Sequence, residues 1–274
     1  MVTGMSASSP ALSPYPEVVG PDVSAIVTED DTPVDNIYSE KQQRFLTEAL
    51  HSGWSGPPPE EAGAQRPFVA AANVGVFSTA HTPPLVPDVF VSLDVELHPD
   101  IWAKEHRTYF IWEFGKPPDV VIEVVSNREG DELGKRLKRY AEMRVPYYVV
   151  WDPGAFLGDV TLRAFELHGR AYVRMARPFF DDLGLRLVEW TGSFEGVECI
   201  WLRWADANGA LLPTGAERAE QAQQRAEQAQ QRAEQAQQRA EQAEQAHAKE
   251  RTRAEQAEQE IAALRAELER LRKG

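Results

Sequence analysis

Cysteine is almost absent from the sequence. Cys199 is the single cysteine among 274 residues, so no disulfide can form within the chain. It lies in a stretch of apolar residues with Ile200, Trp201 and Leu202, and a free cysteine in such a setting is typically buried. We therefore expect Cys199 to fill space in an apolar core.

Long apolar runs are also missing. No stretch approaches the roughly 18 consecutive apolar residues that a membrane-spanning helix needs. The first residues lack the basic and apolar segments of a secretion signal. These absences predict a cytoplasmic protein without a membrane partner.

Basic residues are too few to balance the acidic ones, and the formal net charge is −14. From Ala216 to the end there are 11 Lys/Arg and 12 Asp/Glu, which leaves 18 basic and 31 acidic residues in the preceding part. Proteins that bind duplex DNA by neutralising phosphates usually have a basic surface. The composition therefore counts against strong non-specific DNA binding, and solubility is the simplest explanation of the acidity.

Several common site motifs are absent too. The six histidines show no His-x-x-x-His spacing, so no zinc site is indicated. The sequence has no Walker-type phosphate loop, no Gly-x-Ser-x-Gly elbow and no Cys-x-x-Cys pair. Any catalytic site must therefore use other residue types.

What is present divides the chain into three parts. Residues 1–34 are rich in Pro, Ser and Asp and lack apolar periodicity, which predicts a disordered leader. Residues 35–210 contain nearly all the aromatic side chains and have the usual length of one packed domain. Residues 215–273 repeat the heptad RAEQAQQ, which predicts a coiled-coil helix.

The middle part combines helix and strand patterns. Apolar residues at helical spacing from Asn36 onward predict a first amphipathic helix. The run 118–125 is apolar except for Glu123, which is typical of a central strand buried on both faces. The other predicted strands lie within residues 68–79, 86–92, 146–151, 160–167, 171–175 and 185–188.

A helix is predicted between two of these strands, over residues 126–144. Ser126 and Glu129 have the spacing of a capping box, and apolar residues from Leu133 to Ala141 would form one stripe. Strand–helix–strand units normally place their two strands in parallel. We therefore predict an α/β (α+β) domain whose mixed sheet, completed by the shorter strands, is flanked by helices.

The tail keeps one heptad register throughout. Alanines recur in steps of three and four from Ala219 to Ala243, and polar His247 and Glu250 occupy the next core positions. The same seam ends in Ile261, Leu264, Leu268 and Leu271. We expect homo-oligomer formation through this seam, and a single solvent-exposed helix of strong helix formers is the alternative.

Glu123 demands an explanation because its neighbours two positions away, Val121 and Val125, are apolar. A buried carboxylate is costly unless it is paired or binds a metal ion. Asp88 follows Pro87 at the start of another short strand, and two carboxylates on adjacent strands would suit Mg²⁺ or Mn²⁺. Such an ion polarises a phosphodiester oxygen and activates a water for attack on phosphorus. A salt bridge between Glu123 and an arginine is the simpler alternative.

Residues in several segments carry a family resemblance. They are Pro87-Asp88, Glu123-Val124-Val125-Ser126, Asp131, Lys135, Tyr140, Val145-Pro146-Tyr147-Tyr148 and Trp151-Asp152-Pro153. Together they resemble the Uma-type family of restriction endonucleases, which belongs to the PD-(D/E)XK nuclease superfamily, and the resemblance covers about residues 36–205. It implies a four-stranded core sheet flanked by helices and Mg²⁺-dependent cleavage of DNA, with Asp88 and Glu123 as metal ligands.

The chain departs from the superfamily signature in one position. The signature places a lysine two residues after the second acid, where this chain has Val125. In the Uma-type family a lysine on the following helix replaces it, and the resemblance assigns this third catalytic role to Lys135. On a regular helix Lys135 lies opposite Leu133, so a solvated lysine beside Asp131 is the alternative.

Two further acids are weaker candidates. Asp119 shares the face of Glu123 and would be a third ligand, although a Pro-Asp pair is more typical of a turn. Glu40 would reach the site from the first helix, although charges on an amphipathic helix usually face water.

Two functions remain open from the sequence. The first is a Mg²⁺-dependent endodeoxyribonuclease that binds DNA as a dimer held by the tail. The second is a catalytically inactive nuclease-fold scaffold that acts as a coiled-coil interaction protein. The pair Asp88 and Glu123 favours the first, whereas the acidity and the position of Lys135 favour the second.

Overall fold

The computed structural model describes residue 22 and residues 36–59, 66–127 and 131–273. The predicted leader, residues 1–34, therefore lies outside the described residues except for residue 22. The chain divides into two compact units, residues 1–215 and residues 216–274.

The first unit contains helices and many short strands. Its helices are α1 (Ile37–Gly53), α2 (Ile111–Phe114) and α3 (Leu137–Glu142), with a 3₁₀ turn at Lys104–His106 and a π-helical turn at Glu132–Arg136. Its strands are β1 (Phe68–Ala72), β2 (Val76–Phe77), β3 (Val89–Leu93), β4 (Tyr109–Phe110), β5 (Val120–Val124), β6 (Tyr147–Trp151), β7 (Leu162–His168), β8 (Ala171–Arg174), β9 (Phe179–Phe180), β10 (Leu185–Phe194) and β11 (Val197–Asp206).

Six of these strands form one mixed sheet in the order β1-β3-β5-β6-β7-β8. Strands β5 and β6 are parallel, and the other neighbours are antiparallel. Strands β2 and β4 form a parallel pair, and β9, β10 and β11 form a separate antiparallel sheet. The predicted α/β class with a mixed sheet is confirmed, and so is the parallel pairing of the strands on either side of α3.

Strand β5 is central because both of its faces are apolar. Ile122 and Val124 pack into a buried cluster that includes residues of α1, whereas Val121 and Val125 pack into a second cluster that includes residues of α3. Burying one such aliphatic side chain contributes about 1.5–3 kcal/mol. Helix α1 therefore covers one face of the sheet and α3 the other, and Glu123 lies on the α3 face.

The helix after β5 begins later than predicted. Ser126 has a non-helical backbone, Glu129 lies outside the described residues, and helical structure is seen from Glu132 onward. The Val125 N–H still donates to the Trp151 carbonyl at 2.8 Å, so the chain remains extended beyond β5. The predicted start at Ser126 was wrong because sheet pairing with β6 continues to that point.

A π-helical turn changes the phase of this helix. The Arg136 amide donates to the Asp131 carbonyl, five residues earlier, at 3.1 Å, and such a turn is wider than an α-helical one. As a result Leu133 is 42% exposed, whereas Tyr140 is completely buried. The predicted burial was therefore wrong for Leu133 and is confirmed for Tyr140.

Strands β10 and β11 form a hairpin outside the main sheet. The predicted strand 185–188 is only the start of β10, which pairs with β9 and β11 instead of completing the main sheet. Glu195 and Gly196 make the turn with φ of 47° and 76°, as tight hairpin turns require. Only the later half of β11 is buried, and Cys199 in its first half is partly exposed, so its predicted core position was wrong.

The second unit is formed by the rest of helix α4 (Gly215–Lys273), which is 59 residues long. Its described side chains beyond Glu217 are all exposed. The predicted long C-terminal helix is confirmed, whereas its association into a coiled coil stays a prediction. In the described ranges, none of the helices combines the length and the apolarity needed to cross a lipid bilayer.

Candidate active site

The predicted acid pair lies where β3 begins and β5 ends. These strands are antiparallel, with Val89 opposite Ile122. Continuing this register by one residue places Asp88 opposite Glu123. The Val124 N–H donates to Asp88 Oδ2 at 2.5 Å, so the Asp88 carboxylate reaches the backbone of β5 immediately beside Glu123.

Asp88 is held from the α1 side of the sheet. Gln43 of α1 is 3% exposed, and its Nε2 donates to Asp88 Oδ1 at 2.8 Å. Gln43 Oε1 accepts from Asn73 Nδ2 at 2.7 Å, and the Asn73 N–H donates to the Asp88 carbonyl at 3.3 Å. Asn73 has φ of 54°, a left-handed conformation that asparagine adopts more readily than most residues. The amides of Gln43 and Asn73 thus orient Asp88 together.

Glu123 is held from the α3 side and is only 2% exposed. Tyr140 Oη donates to Glu123 Oε1 at 2.7 Å, and Arg136 Nη1 donates to Glu123 Oε2 at 2.5 Å. Burial raises the pKa of Glu123, while Arg136 and Tyr140 act in the opposite direction by stabilising its ionised form. The salt bridge considered as the simpler alternative is therefore present.

The basic side chain next to the acids is Arg136, whereas the resemblance assigned this role to Lys135. Lys135 is exposed, and its ammonium makes no hydrogen bond or ion pair within the described part of the chain. The two residues differ because the π-helical turn directs Arg136 toward β5. The sequence signal for Arg136 is its position four residues before Tyr140, since residues so spaced share a helix face.

A further acid that the sequence analysis did not single out is Glu132. Its Oε2 atom is buried and accepts no hydrogen bond from the described residues. Its negative charge raises the pKa of Glu123. A buried carboxylate oxygen without a donor is costly.

Asp119 and Glu40 are not brought to the pair. Asp119 lies at the other end of β5, where its Oδ2 accepts from Lys116 Nζ and from the Leu93 N–H, both at 2.7 Å. Glu40 is exposed and pairs with Arg44 one helical turn later. Both acids therefore have structural partners away from Glu123.

The unused lone pairs of the Glu123 carboxylate would accept a magnesium ion. This ion takes oxygen ligands, is often bound by one or two carboxylates and retains several waters. A carboxylate has about four lone-pair sites, and Glu123 uses two of them for Arg136 and Tyr140. Across residues 36–59, 66–127 and 131–273, no group of three or more His, Cys, Asp or Glu side chains is arranged to hold a metal ion, so an ion here would depend strongly on water.

A mixed sheet flanked by helices, with acids at the adjoining ends of two neighbouring strands, defines a restriction-endonuclease-like domain. The family model Uma2, described as "Putative restriction endonuclease", matches residues 20–184. The match covers more than half of the chain, which therefore belongs to this family. It includes the main sheet and both acids but excludes β10, β11 and α4.

The family description indicates a nuclease, which is a hydrolase. The match begins earlier and ends earlier than the resemblance seen in the sequence, which covered about residues 36–205. No curated protein and no solved structure matched the chain.

Proposed function

We propose that this protein is a Mg²⁺-dependent endodeoxyribonuclease that hydrolyses phosphodiester bonds in DNA, with Mn²⁺ as an alternative ion. Asp88 and Glu123 are the proposed metal ligands. The observation that carries the proposal is the hydrogen bond from the Val124 N–H to Asp88, which ties one acid to the strand of the other. Family membership supports it independently.

The residues of the chain supply the geometry for this chemistry. Bound Mg²⁺ would contribute Lewis-acid polarisation of a phosphodiester oxygen and acidify a water. Gln43 and the Val124 N–H fix the Asp88 carboxylate, and Tyr140 fixes Glu123. Such preorganised groups need little rearrangement when charge develops in the transition state.

Arg136 is the proposed partner of the phosphate, with Lys135 as a second contact. A guanidinium has five N–H donors, so Arg136 can keep its bond to Glu123 and still present other donors to a phosphate oxygen. Lys135 lies on the adjacent surface. There it would either serve as the catalytic lysine that the family resemblance assigns or contact the DNA backbone. Replacing each separately by alanine and measuring DNA nicking per folded molecule distinguishes the two. The larger loss, after correction for the folded fraction, identifies the group that stabilises the transition state.

A metal titration followed by thermal unfolding tests the proposal. We expect Mg²⁺ and Mn²⁺ to raise the Tm of the native protein and of the control Glu40→Gln, whose acid pairs with Arg44. Glu123→Gln should fold, because glutamine retains an acceptor for Tyr140, but should show neither the metal-dependent Tm shift nor plasmid nicking. Equal metal shifts in Glu123→Gln and native protein would overturn the role of Glu123.

A catalytically inactive scaffold is the second candidate function. The observation that favours it is the pairing of both Glu123 oxygens with Arg136 and Tyr140, which satisfies this buried acid without a metal. In that case purified protein would show no metal-dependent Tm shift and no nicking in Mg²⁺ or Mn²⁺, while still associating through α4.

The proposal also names partners and a place of action. DNA is the proposed substrate, and the acidic composition favours recognition of particular sites over general attraction to phosphates. Action in the cytoplasm and homo-oligomer formation through α4 complete the proposal. Sedimentation of full-length protein and of a chain ending at Pro213 tests homo-oligomer formation. If both chains have a similar mass per particle, α4 is not the interface.

A further inference from the structure

The last part of α4 exposes large apolar side chains on one face. Ile261, Leu264 and Leu268 are 50%, 55% and 61% exposed, and their spacing of three and four residues places them along a single stripe. Exposed apolar stripes of this kind usually mark a surface that another helix covers.

The residues that flank this stripe carry charges in a specific order. If Ile261 and Leu268 occupy the first core position of their heptads and Leu264 the second, Arg253 and Glu260 lie on one flank and Glu258 and Arg265 on the other. In two parallel helices, a residue on the first flank lies beside the residue five positions later in the second helix. This geometry allows the identity of the covering helix to be tested by charge.

A second copy of α4 satisfies the charge pattern. In a parallel pair in register, Arg253 lies beside Glu258 of the second copy, and Glu260 lies beside Arg265 of the second copy. Nearer the N-terminal end of the helix, Arg239 lies beside Glu244 of the second copy in the same way. All three contacts join opposite charges, and twofold symmetry makes each occur twice.

The antiparallel arrangement is less favourable. With full overlap, Arg239 would lie beside Arg253 of the second copy, which joins like charges, although Arg232 would lie beside Glu260. The decisive difference is the apolar packing. Ile261 would face Ala229, so the large apolar side chains would pack against alanines instead of against one another. Because burial stabilises in proportion to apolar area, the parallel pair buries its largest side chains more effectively.

We propose that two copies of this protein pair through α4 in a parallel, in-register coiled coil, with the Ile261, Leu264 and Leu268 stripe as its main contact and the Arg–Glu contacts fixing its orientation. Both N-terminal domains are then joined to the same end of the coil. The inference rests on the proposed association through α4 and is independent of the proposed nuclease activity.

Cysteine cross-linking of the full chain tests orientation and register. In a Cys199→Ser background, Ala257→Cys introduces a thiol at a core position, and in the proposed pair it faces its own counterpart. Mild oxidation should give a nearly complete covalent dimer, whereas Gln256→Cys, on the outer face of the same turn, should give little. A monomer by sedimentation, or cross-linking only in mixtures of Ala257→Cys with Ala233→Cys, would overturn the proposal.

Charge inversion tests what fixes the orientation. Arg253→Glu would place like charges beside Glu258 twice in each dimer, so self-association should weaken several-fold. The double variant Arg253→Glu, Glu258→Arg exchanges the charges and should recover the native Kd. If the double variant is as weak as the single one, this contact does not fix the pairing. Neither readout depends on DNA cleavage.

Discussion

Strand β5 has a buried acid near each end, and the two differ in their surroundings. Asp119 and Glu123 lie on the same face, both are less than a tenth exposed, and burial raises the pKa of both. Each is also paired with one cation, Lys116 or Arg136. Burial and an ion pair alone therefore do not identify a functional acid.

The difference lies in what surrounds each ion pair. Lys116 comes from the loop just before Asp119 and also donates to the Leu93 carbonyl, so this end of β5 is closed by local contacts. At the other end, Asp88 lies beside Glu123 across the strands. The charge of Glu132 also acts on Glu123, and its Oε2 accepts no hydrogen bond from the part of the chain that the structure describes. The Glu123 end of β5 therefore supports the proposed metal site, whereas the Asp119–Lys116 ion pair links neighbouring segments of the fold.

The largest expected effect is a difference in nicking activity between variants of Asp88 and of Asp119. Asp88→Asn should lower the rate of Mg²⁺-dependent plasmid nicking by more than about 100-fold, because it removes the charge of a proposed metal ligand. Asp119→Asn should nick at close to the native rate after correction for the folded fraction. If the two substitutions slow nicking equally, the two ends of β5 do not differ in function.

The next effect compares two neighbouring buried glutamines of α1. Gln43 donates to Asp88, whereas Gln42 bonds both the carbonyl and the N–H of Leu202 on β11. Gln43→Ala should weaken Mg²⁺ binding by about 10–100-fold, as loss of a group that orients a ligand typically does. Gln42→Ala should reduce stability instead and leave the Kd for Mg²⁺, measured by calorimetry on folded protein, near its native value.

The sequence pointed to the acid pair because Glu123 interrupts an apolar run and Asp88 stands at the start of a second short strand. The run is apolar on both faces of the strand, so Glu123 had to point into the domain whichever face it occupied. Its pairing with Asp88 required only that the two strands be neighbours, which the antiparallel register of β3 and β5 confirms. Local patterns were sufficient for this part of the fold.

The sequence did not predict the groups that hold the acids. The π-helical turn depends on contacts from distant segments, such as the bond from Tyr148 Oη to the Glu132 carbonyl, and it decides that Arg136 rather than Lys135 meets Glu123. Gln43 looks like any polar residue of an amphipathic helix, because its partner Asp88 is 45 residues away. Such long-range contacts leave no periodic signal.

A smaller effect concerns stability and its recovery by metal. Arg136→Ala leaves Glu123 uncompensated and should cost about 2 kcal/mol in urea unfolding, less than for fully buried pairs because the arginine is partly exposed. Mg²⁺ should restore part of this loss, since it supplies positive charge at the same carboxylate. Lys116→Ala should show a loss of similar size that Mg²⁺ does not restore. Recovery of both variants, or of neither, would contradict the distinction between the two ends.

The smallest effect is a change in how stability depends on pH. Because burial raises the pKa of Glu123 above its ordinary value of 4.5, the folded chain holds this proton more tightly than the unfolded chain. Stability should therefore fall as the pH rises from 4.5 through the folded-state pKa, by at most about 1.4 kcal/mol per pH unit for one proton.

Metal should reverse this trend at Glu123, because the ion binds only the ionised carboxylate. The Mg²⁺-induced Tm shift should increase over the same pH range in native protein and in Asp119→Asn, and should be absent at every pH in Glu123→Gln. A shift that is already complete at pH 4 would show that the ion does not displace a proton from Glu123, and its site would then have to be sought among other acids.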